Sequence, residues 1–253
     1  MMKARPILFS TPMINALVED RKTQTRRVVK QPKDKNVSLF YKGKPICLPP
    51  RIEDISISNL IENAKFPYGK VGDLLYVKEN FATDGILDHL KPSLLSHDHS
   101  IFYIANQEWI LGDFDKKYQG VHAKNKGKTR PNIFMPKWAS RLTLEITDIR
   151  VERLQDISEE DAIAEGCEHP LKDDPDRGLI EACADWVADE RTSFARLWKS
   201  INGKDSWDKN PFVWVLEFKV HKCNFQKLLN PEFSINYGVQ PEINRKIIPT
   251  THQ

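Results

Sequence analysis

The segment at 212–220 limits how the chain can fold more than any other part of the sequence. Its first five residues, FVWVL, are all apolar, and the segment is rich in β-branched and aromatic side chains. A short continuous apolar run of this kind is typical of a strand buried inside a sheet. We therefore predict a central strand over 212–220, with the rest of the fold arranged around its sheet.

Further strands are indicated by side-chain alternation. Residues 141–146 alternate between polar and apolar, and the alternation resumes at Ile149 after a shift of one residue, which predicts a β-bulge near 147–148. A glycine turn followed by a strand is predicted over 71–81, and a short strand over 101–105. These segments can supply the neighbours that a central strand needs.

Short helices are predicted between the strands. Ser10 and the proline at position 12 predict a helix start with a hydroxyl cap. Ser158, followed by three acidic residues, predicts a second helix that ends at Gly166. In a third segment, the apolar residues have the spacing of one helix face. They are Phe194, Leu197, Trp198 and Ile201.

Strands that alternate with short helices and end in a C-terminal strand predict an α+β fold built on a small mixed or antiparallel β-barrel. We expect one domain over residues 1–221, with large insertions at about 31–66, 84–137 and 167–190. The segment 31–66 is expected to be irregular. Residues 222–253 contain three prolines and no periodicity, and they predict an extended tail.

The charge balance excludes a strongly basic protein that coats nucleic acid. The chain of 253 residues has 38 Lys and Arg against 35 Asp and Glu, a net charge of +3. A binder without sequence preference needs a larger basic excess, because its affinity scales with the number of phosphates that it neutralises. Any contact with nucleic acid must therefore be local.

Several patterns predict a cytoplasmic protein that contacts no membrane. The apolar stretch within 1–22 is broken by Ser10 and Pro12, unlike a signal peptide, and no apolar run reaches the ~18 residues of a membrane helix. The four cysteines show no CxxC spacing, so neither a disulfide framework nor a zinc site is indicated. We expect free thiols, no metal and no cofactor.

The densest basic stretch is 21–30, where five of ten residues are cationic. Lys22 and Thr25 are three residues apart after a helix, so a compact turn can bring the ammonium near the hydroxyl. A lysine acts as a base where burial or nearby cations lower its pKa. The nearby cations are Arg21, Arg26 and Arg27. The same arginines can bind phosphate or a base carbonyl, and a solvated loop is a third interpretation.

Glu165 is the carboxylate that helix electrostatics does not explain. Three acidic residues at 159–161 suit the positive end of the helix dipole, whereas Glu165 lies at the opposite end, where a carboxylate is disfavoured. We therefore expect a cationic partner for Glu165, either Lys22 or a nearby arginine.

A second basic segment lies at 124–130. It carries Lys126, Lys128 and Arg130 without aromatic residues between them. This pattern predicts contact with phosphate and not stacking on bases.

Four blocks of the sequence, in this order, resemble the ASCH domain. They are 21–27 (RKTQTRR), 71–77 (VGDLLYV), the strand from 144 that leads into the helix at 158–166, and 214–219 (WVLEFK). The chain as a whole is most similar to the longer, phage-encoded ASCH proteins. The resemblance implies a PUA-like fold, a small mixed β-barrel with flanking short helices, which is associated with RNA binding and modified nucleosides.

The resemblance also implies residue roles. Small bacterial ASCH proteins are amidohydrolases that remove the acetyl group of N4-acetylcytidine with a lysine, a threonine and a glutamate. Lys22, Thr25 and Glu165 match these positions, as base, nucleophile and positioning group. Two hypotheses follow. In the first, a pocket edged by the basic stretch recognises a nucleobase or nucleotide, within RNA or DNA. In the second, the same pocket is an amidohydrolase for an N4-acylated cytosine nucleoside.

Overall fold

A computed structural model describes residues 2–29, 39–41, 44–46, 66–96, 99–110, 117–118, 125–172 and 189–230. Its strands, in chain order, are β1 (Ala4–Leu8), β2 (Gln24–Val28), β3 (Leu39–Tyr41), β4 (Lys44–Ile46), β5 (Leu74–Lys78), β6 (Phe81–Ala82), β7 (Ile101–Tyr103), β8 (Glu108–Ile110), β9 (Lys117–Tyr118), β10 (Thr143–Arg153) and β11 (Phe212–His221). Its α-helices are α1 (Thr11–Val18), α2 (Glu159–Ala164), α3 (Glu190–Asn202) and α4 (Phe225–Leu229).

The fold is α+β, as predicted, and its main sheet is mixed. The strand order is β1-β5-β10-β11-β2, in which only β1 and β5 run parallel. The prediction of a central strand is confirmed, because β11 pairs with β10 on one edge and with β2 on the other. In the ranges given above, β1 and β2 are the two edges of the sheet, and no pairing between them closes a barrel.

The predicted bulge in β10 is confirmed, and it determines which side chains face which layer. The register against β11 shifts between Ile146 and Asp148. Ile149 therefore joins Ile146 in the main apolar core, while Arg150 and Glu152 alternate onto the opposite face. The one extra residue thus keeps apolar side chains on the core face in both halves of the strand.

Each face of the main sheet is covered by helices. On one face, Ile14 and Leu17 of α1 pack with β11 residues such as Leu216. On the other, Phe194 and Trp198 of α3 pack on Val213 and Val215 of the same strand. Alternate residues of β11 thus enter two different cores, which explains its nearly continuous apolar sequence.

The sequence predicted helix caps at Ser10 and Ser158 and a helix end at Gly166, and two of these three predictions are confirmed. The Ser158 hydroxyl accepts from the Asp161 N–H at 3.1 Å, and Gly166 has a φ of +86° where α2 ends, a conformation that glycine adopts without strain. The hydroxyl cap predicted at the first helix is wrong, because Ser10 makes no side-chain capping bond. The proline in the first turn presets the backbone there instead.

The predicted insertions and tail contain regular structure. Strands β3 and β4 form a hairpin within 31–66, so that segment is not wholly irregular, and a second antiparallel sheet, β6-β7-β8-β9, falls mostly within 84–137. The tail begins with α4, whose Phe225 stacks on Tyr76 with ring centroids 5.2 Å apart. The prediction of an extended tail is therefore wrong for 225–229. Residues 231–253 and most of 167–190 lie outside the described ranges.

None of the helices in the described ranges has the length and apolar character needed to cross a membrane.

Candidate functional site at the edge strand β2

The start of β2 is joined to the end of α2 through the backbone. Lys22 and Glu165 form an isolated antiparallel bridge, and the Thr23 N–H donates to the Ala164 carbonyl at 2.8 Å. Gly166 makes this approach possible, because a Cβ there would lie 2.7 Å from the Ala16 Cβ and 3.2 Å from the Lys22 Cβ. The close packing of α1, α2 and β2 thus brings two distant sequence motifs together.

Lys22 and Glu165 form a buried ion pair. The Lys22 Nζ lies 2.6 Å from Glu165 Oε2 and 2.8 Å from the Glu165 carbonyl oxygen, and the two residues are 0% and 2% exposed. Arg26 Nη1 lies 3.3 Å from the other carboxylate oxygen. The expectation of a cationic partner for Glu165 is therefore confirmed.

Burial is the largest influence on Lys22 and lowers its pKa below the ordinary lysine value. The positive charge of Arg27 also lowers this pKa, whereas Glu165 opposes both effects. The pKa of the Cys167 thiol shifts in the opposite direction, because burial and the Glu165 carboxylate raise it to about 12. Cys167 therefore stays protonated near neutral pH and is a poor nucleophile.

Thr25 lies in β2 opposite Leu216 and is fully buried. Its Oγ1 has no hydrogen-bond partner, so it is bonded neither to Lys22 nor to Glu165. By strand alternation it shares a face with Arg27. The Lys22 Nζ and the Arg27 Cζ lie 5.8 Å and 5.0 Å from the centroid of the Phe9 ring. The structure thus pairs Lys22 with Glu165 and leaves the Thr25 hydroxyl uncommitted.

Arg26 is buried beneath α2. Its guanidinium donates to Glu152 at 2.5 Å, to Asp161 at 2.7 Å and to Gln24 at 2.5 Å, besides Glu165. The structure therefore places Arg26 in an internal network with carboxylates from β10 and α2. The expectation that Arg26 contacts nucleic acid directly stays a prediction.

No pattern in the sequence indicates the charge network around Arg26. Arg150 Nη2 lies 2.8 Å from Asp161, and Arg150 also pairs with Glu217. Burial acts to raise the pKa of Asp161, but the bonds from Gln24 and the charges of Arg26 and Arg150 outweigh it and lower that pKa. This network attaches α2 to the sheet, and the spacing of charges in the sequence does not reveal it.

The remaining basic residues of 21–30 are only partly available. Arg21 pairs with Glu19 and donates to the Gly166 carbonyl at 3.0 Å. Arg27 is half-buried and donates to the Leu8 carbonyl at 2.8 Å. Position 30 lies outside the described ranges. The interpretation of 21–30 as a solvated loop is wrong, because half of it, Gln24–Val28, forms a strand of the main sheet.

The second basic segment lies beside the smaller sheet. Arg130 is buried and donates to the Leu90 and Leu87 carbonyls at 2.8 and 2.9 Å. The expectation that it contacts phosphate stays a prediction. Lys126 and Lys128 are exposed. The Lys126 Nζ lies 5.0 Å from the centroid of the Phe102 ring. These two lysines remain accessible to an anion.

A cavity of about 60 Å³ lies beside β2, between α1 and α3. Its apolar wall is formed by Met13, Val28, Phe194, Leu197, Trp198 and Ile201. Its polar groups belong to Arg26, Arg27, Glu165 and Asn202. Glu165 therefore links the buried ion pair to the cavity. The spacing of the α3 residues predicted one apolar helix face, and their role as a cavity wall carries no separate signal in the sequence.

Comparisons with known proteins do not assign this site. No protein-family model, curated protein or solved structure matches the chain. The resemblance to the ASCH domain rests on the four sequence blocks alone. Within the part of the chain that the structure describes, no three His, Cys, Asp or Glu side chains are grouped to hold a metal ion.

Proposed function

We propose that the chain is an ASCH-type, PUA-like protein that recognises a nucleobase or nucleotide at the cavity beside β2. The observation that carries this proposal is that Glu165 belongs both to the buried ion pair with Lys22 and to the cavity wall. A mostly apolar cavity with a few polar groups is the usual form of a small-molecule site. A buried, perturbed lysine beside it is typical of functional sites.

The chemistry of the wall suits a base. Phe194 and Trp198 offer flat apolar surface, and Arg27 can donate to a ring carbonyl. Glu165 can accept from an amino group or a ring N–H. Because a base presents both kinds of group at its edge, it can satisfy both residues at once.

The internal pairing of the arginines favours a nucleoside, or a single nucleotide of a strand, over a long track of phosphates. Arg26 and Arg130 are engaged inside the protein. Arg27, Lys126 and Lys128 remain for phosphate contact. Few phosphate contacts give a shallow dependence of affinity on salt. For short single-stranded RNA or DNA, we therefore expect binding that weakens with salt by a small slope.

Blocking the cavity tests the proposal. Calorimetric titration with cytidine, uridine, N4-acetylcytidine and a short RNA should detect binding by the wild type. Ile201→Trp places a large ring at the cavity wall without touching Lys22, and it should abolish binding. Ile163→Trp is the matched control, because Ile163 is equally exposed, at 49% against 48%, but does not line the cavity. Absence of binding by the wild type at about 1 mM of every probe contradicts the proposal.

Amidohydrolysis is the second candidate, favoured by the lowered pKa of Lys22 and the uncommitted hydroxyl of Thr25. In this reaction the neutral Lys22 amine takes the Thr25 proton while Oγ1 attacks the acyl carbon. Lys22 then returns the proton to the leaving N4 amine as the C–N bond breaks. Water hydrolyses the acyl-threonine and releases the carboxylic acid. Because Lys22 and Thr25 are not hydrogen-bonded, the reaction requires the Lys22 side chain to turn from Glu165 towards Oγ1.

Acetate release from N4-acetylcytidine separates the two candidates. The rate should rise with pH as Lys22 loses its proton, and Lys22→Ala should abolish it. Ile163→Trp should retain it. If the wild type binds N4-acetylcytidine and releases no acetate at high protein concentration, the protein is a binding module and the hydrolytic candidate is rejected.

A further inference from the structure

Trp198 holds a hydrogen-bond donor that the fold does not use. The residue is only 5% exposed, yet its indole Nε1 has no hydrogen-bond partner. It lines the cavity beside β2. A buried N–H without an acceptor destabilises a protein, because the group loses its hydrogen bond to water and gains nothing in return.

Another buried tryptophan of the chain does have an acceptor for its indole N–H. The Trp138 indole, 8% exposed, donates to the Leu95 carbonyl at 3.2 Å. The apolar side chains around Trp198 include Phe194, with its ring centroid 6.0 Å away, and Val213. No described protein acceptor lies within hydrogen-bond distance of its Nε1.

Glu165 presents the complementary group on the same cavity. Its carboxylate is an acceptor, and the Trp198 indole is a donor. An amide, with an N–H next to a C=O, can satisfy the two together. A cavity of about 60 Å³ has room for the few heavy atoms of such a group and not for a sugar, given that one water needs ~10–15 Å³ on this measure.

We propose that the Trp198 indole N–H donates to the carbonyl oxygen of the ligand, and that an amide group of the ligand occupies the cavity with its N–H towards Glu165. This inference rests on the proposed function and names the part of the ligand that the site selects. Of the nucleosides named above as probes, two carry this chemistry: uridine in its ring imide and N4-acetylcytidine in its N-acylamino group.

The test removes the N–H while it keeps the ring. Trp198→Phe is the simple variant, and 3-benzothienylalanine at position 198 is the isosteric one, with sulfur in place of N–H. Trp207→Phe is the matched control, because Trp207 also packs against Phe194 but does not line the cavity. Affinities for uridine, N4-acetylcytidine and purine riboside, which has no amide, are measured by calorimetry. The indole ¹H–¹⁵N resonance of Trp198 is followed in parallel.

We expect uridine or N4-acetylcytidine to shift the Trp198 resonance and purine riboside to leave it unchanged. Both position-198 variants should bind the active nucleoside roughly three- to tenfold more weakly, and Trp207→Phe should bind as the wild type does. The benzothienyl protein should melt at the same temperature as the wild type or higher, because it no longer buries an unpaired donor. Unchanged affinity of the benzothienyl protein overturns the role of Trp198 and leaves the proposed function standing. Failure of the wild type to bind uridine and N4-acetylcytidine overturns this inference, and failure to bind cytidine and the short RNA as well overturns the proposed function.

Discussion

The Lys22 ammonium and the Glu165 carboxylate lie 2.6 Å apart in the interior, although the two residues are 143 positions apart in the sequence. Neither residue is more than 2% exposed. Their attraction must therefore offset the loss of water around two charges, and removing one partner leaves the other buried and unpaired. Both the stability of the fold and the chemistry of the site depend on this pair.

Removing either Lys22 or Glu165 should lower the stability of the fold strongly, and removing both should lower it by less than the sum of the two single changes. We expect Lys22→Met or Glu165→Leu to lower the free energy of unfolding by about 3–5 kcal/mol. The double variant Lys22→Met/Glu165→Leu should be more stable than the sum of the single effects predicts. Urea denaturation measures all three. Lys172→Met, which breaks the exposed pair with Glu168, is the control and should change stability by about 0.5 kcal/mol or less. Additive single effects would show that the pair is not coupled.

Thr25→Val should separate stability from activity. The change removes a buried hydroxyl that has no partner, so stability should stay the same or rise by up to about 1 kcal/mol. Thr143→Val is the matched control in β10, where the hydroxyl donates to the Cys223 carbonyl at 2.8 Å, and it should cost about 1–2 kcal/mol. Acetate release, if the wild type shows it, should be lost only in Thr25→Val. Loss of stability in Thr25→Val would indicate that the hydroxyl has a structural partner.

The Cys167 thiol should report on the charges beside it. Its pKa is raised to about 12 by burial and by Glu165, whereas an unfolded cysteine titrates near ~8.5. The stability that this shift contributes is fully present below about pH 8.5 and is lost as the pH rises towards about 12. At pH 8, alkylation of Cys167 in the folded protein should be slower than in urea by on the order of a hundredfold or more. Peptide mapping after iodoacetamide measures it. Equal rates would contradict the raised pKa.

Arg26→Lys should loosen α2 while it keeps the charge. A lysine cannot reproduce the fork that reaches Glu152, Asp161 and Glu165 together. We expect a loss of about 2–4 kcal/mol in unfolding free energy, measured by urea denaturation. Arg191→Lys, at an exposed arginine that donates to the Gln155 carbonyl, is the control and should change stability by about 0.5 kcal/mol or less. Equal effects of the two would show that the buried fork has no special role.

Local patterns predicted the parts of the fold that local physics determines. The apolar run of β11, the bulge of β10 and the cap at Ser158 all depend on neighbours in the sequence, and all are confirmed. The burial of Arg26 was not predictable in this way. Its charge suggests exposure, but the carboxylates that compensate it come from residues 126 to 139 positions away.

The candidate site was predictable in part. The position of Glu165 at the wrong end of a helix dipole indicated a cationic partner, and Lys22 is that partner. The cavity depends on how α3 packs across the edge of β2, which no spacing in the sequence encodes. The folded start of the tail was missed for a similar reason, because Phe225 has its stacking partner, Tyr76, in a strand from the first third of the chain.

The bulge in β10 makes the site depend on the number of residues as well as on their identity. With Thr147 deleted, Asp148 would follow Ile146 directly, so β10 could pair with β11 without the shift in register while Ile149, Arg150 and Glu152 keep the faces they have now. Deletion of Arg150 should have a different result, because it would turn Val151 onto the opposite face and Glu152 into the main core; circular dichroism of the two variants distinguishes these outcomes. The strand should therefore tolerate the loss of one residue at the bulge and not in the regular ladder that follows it.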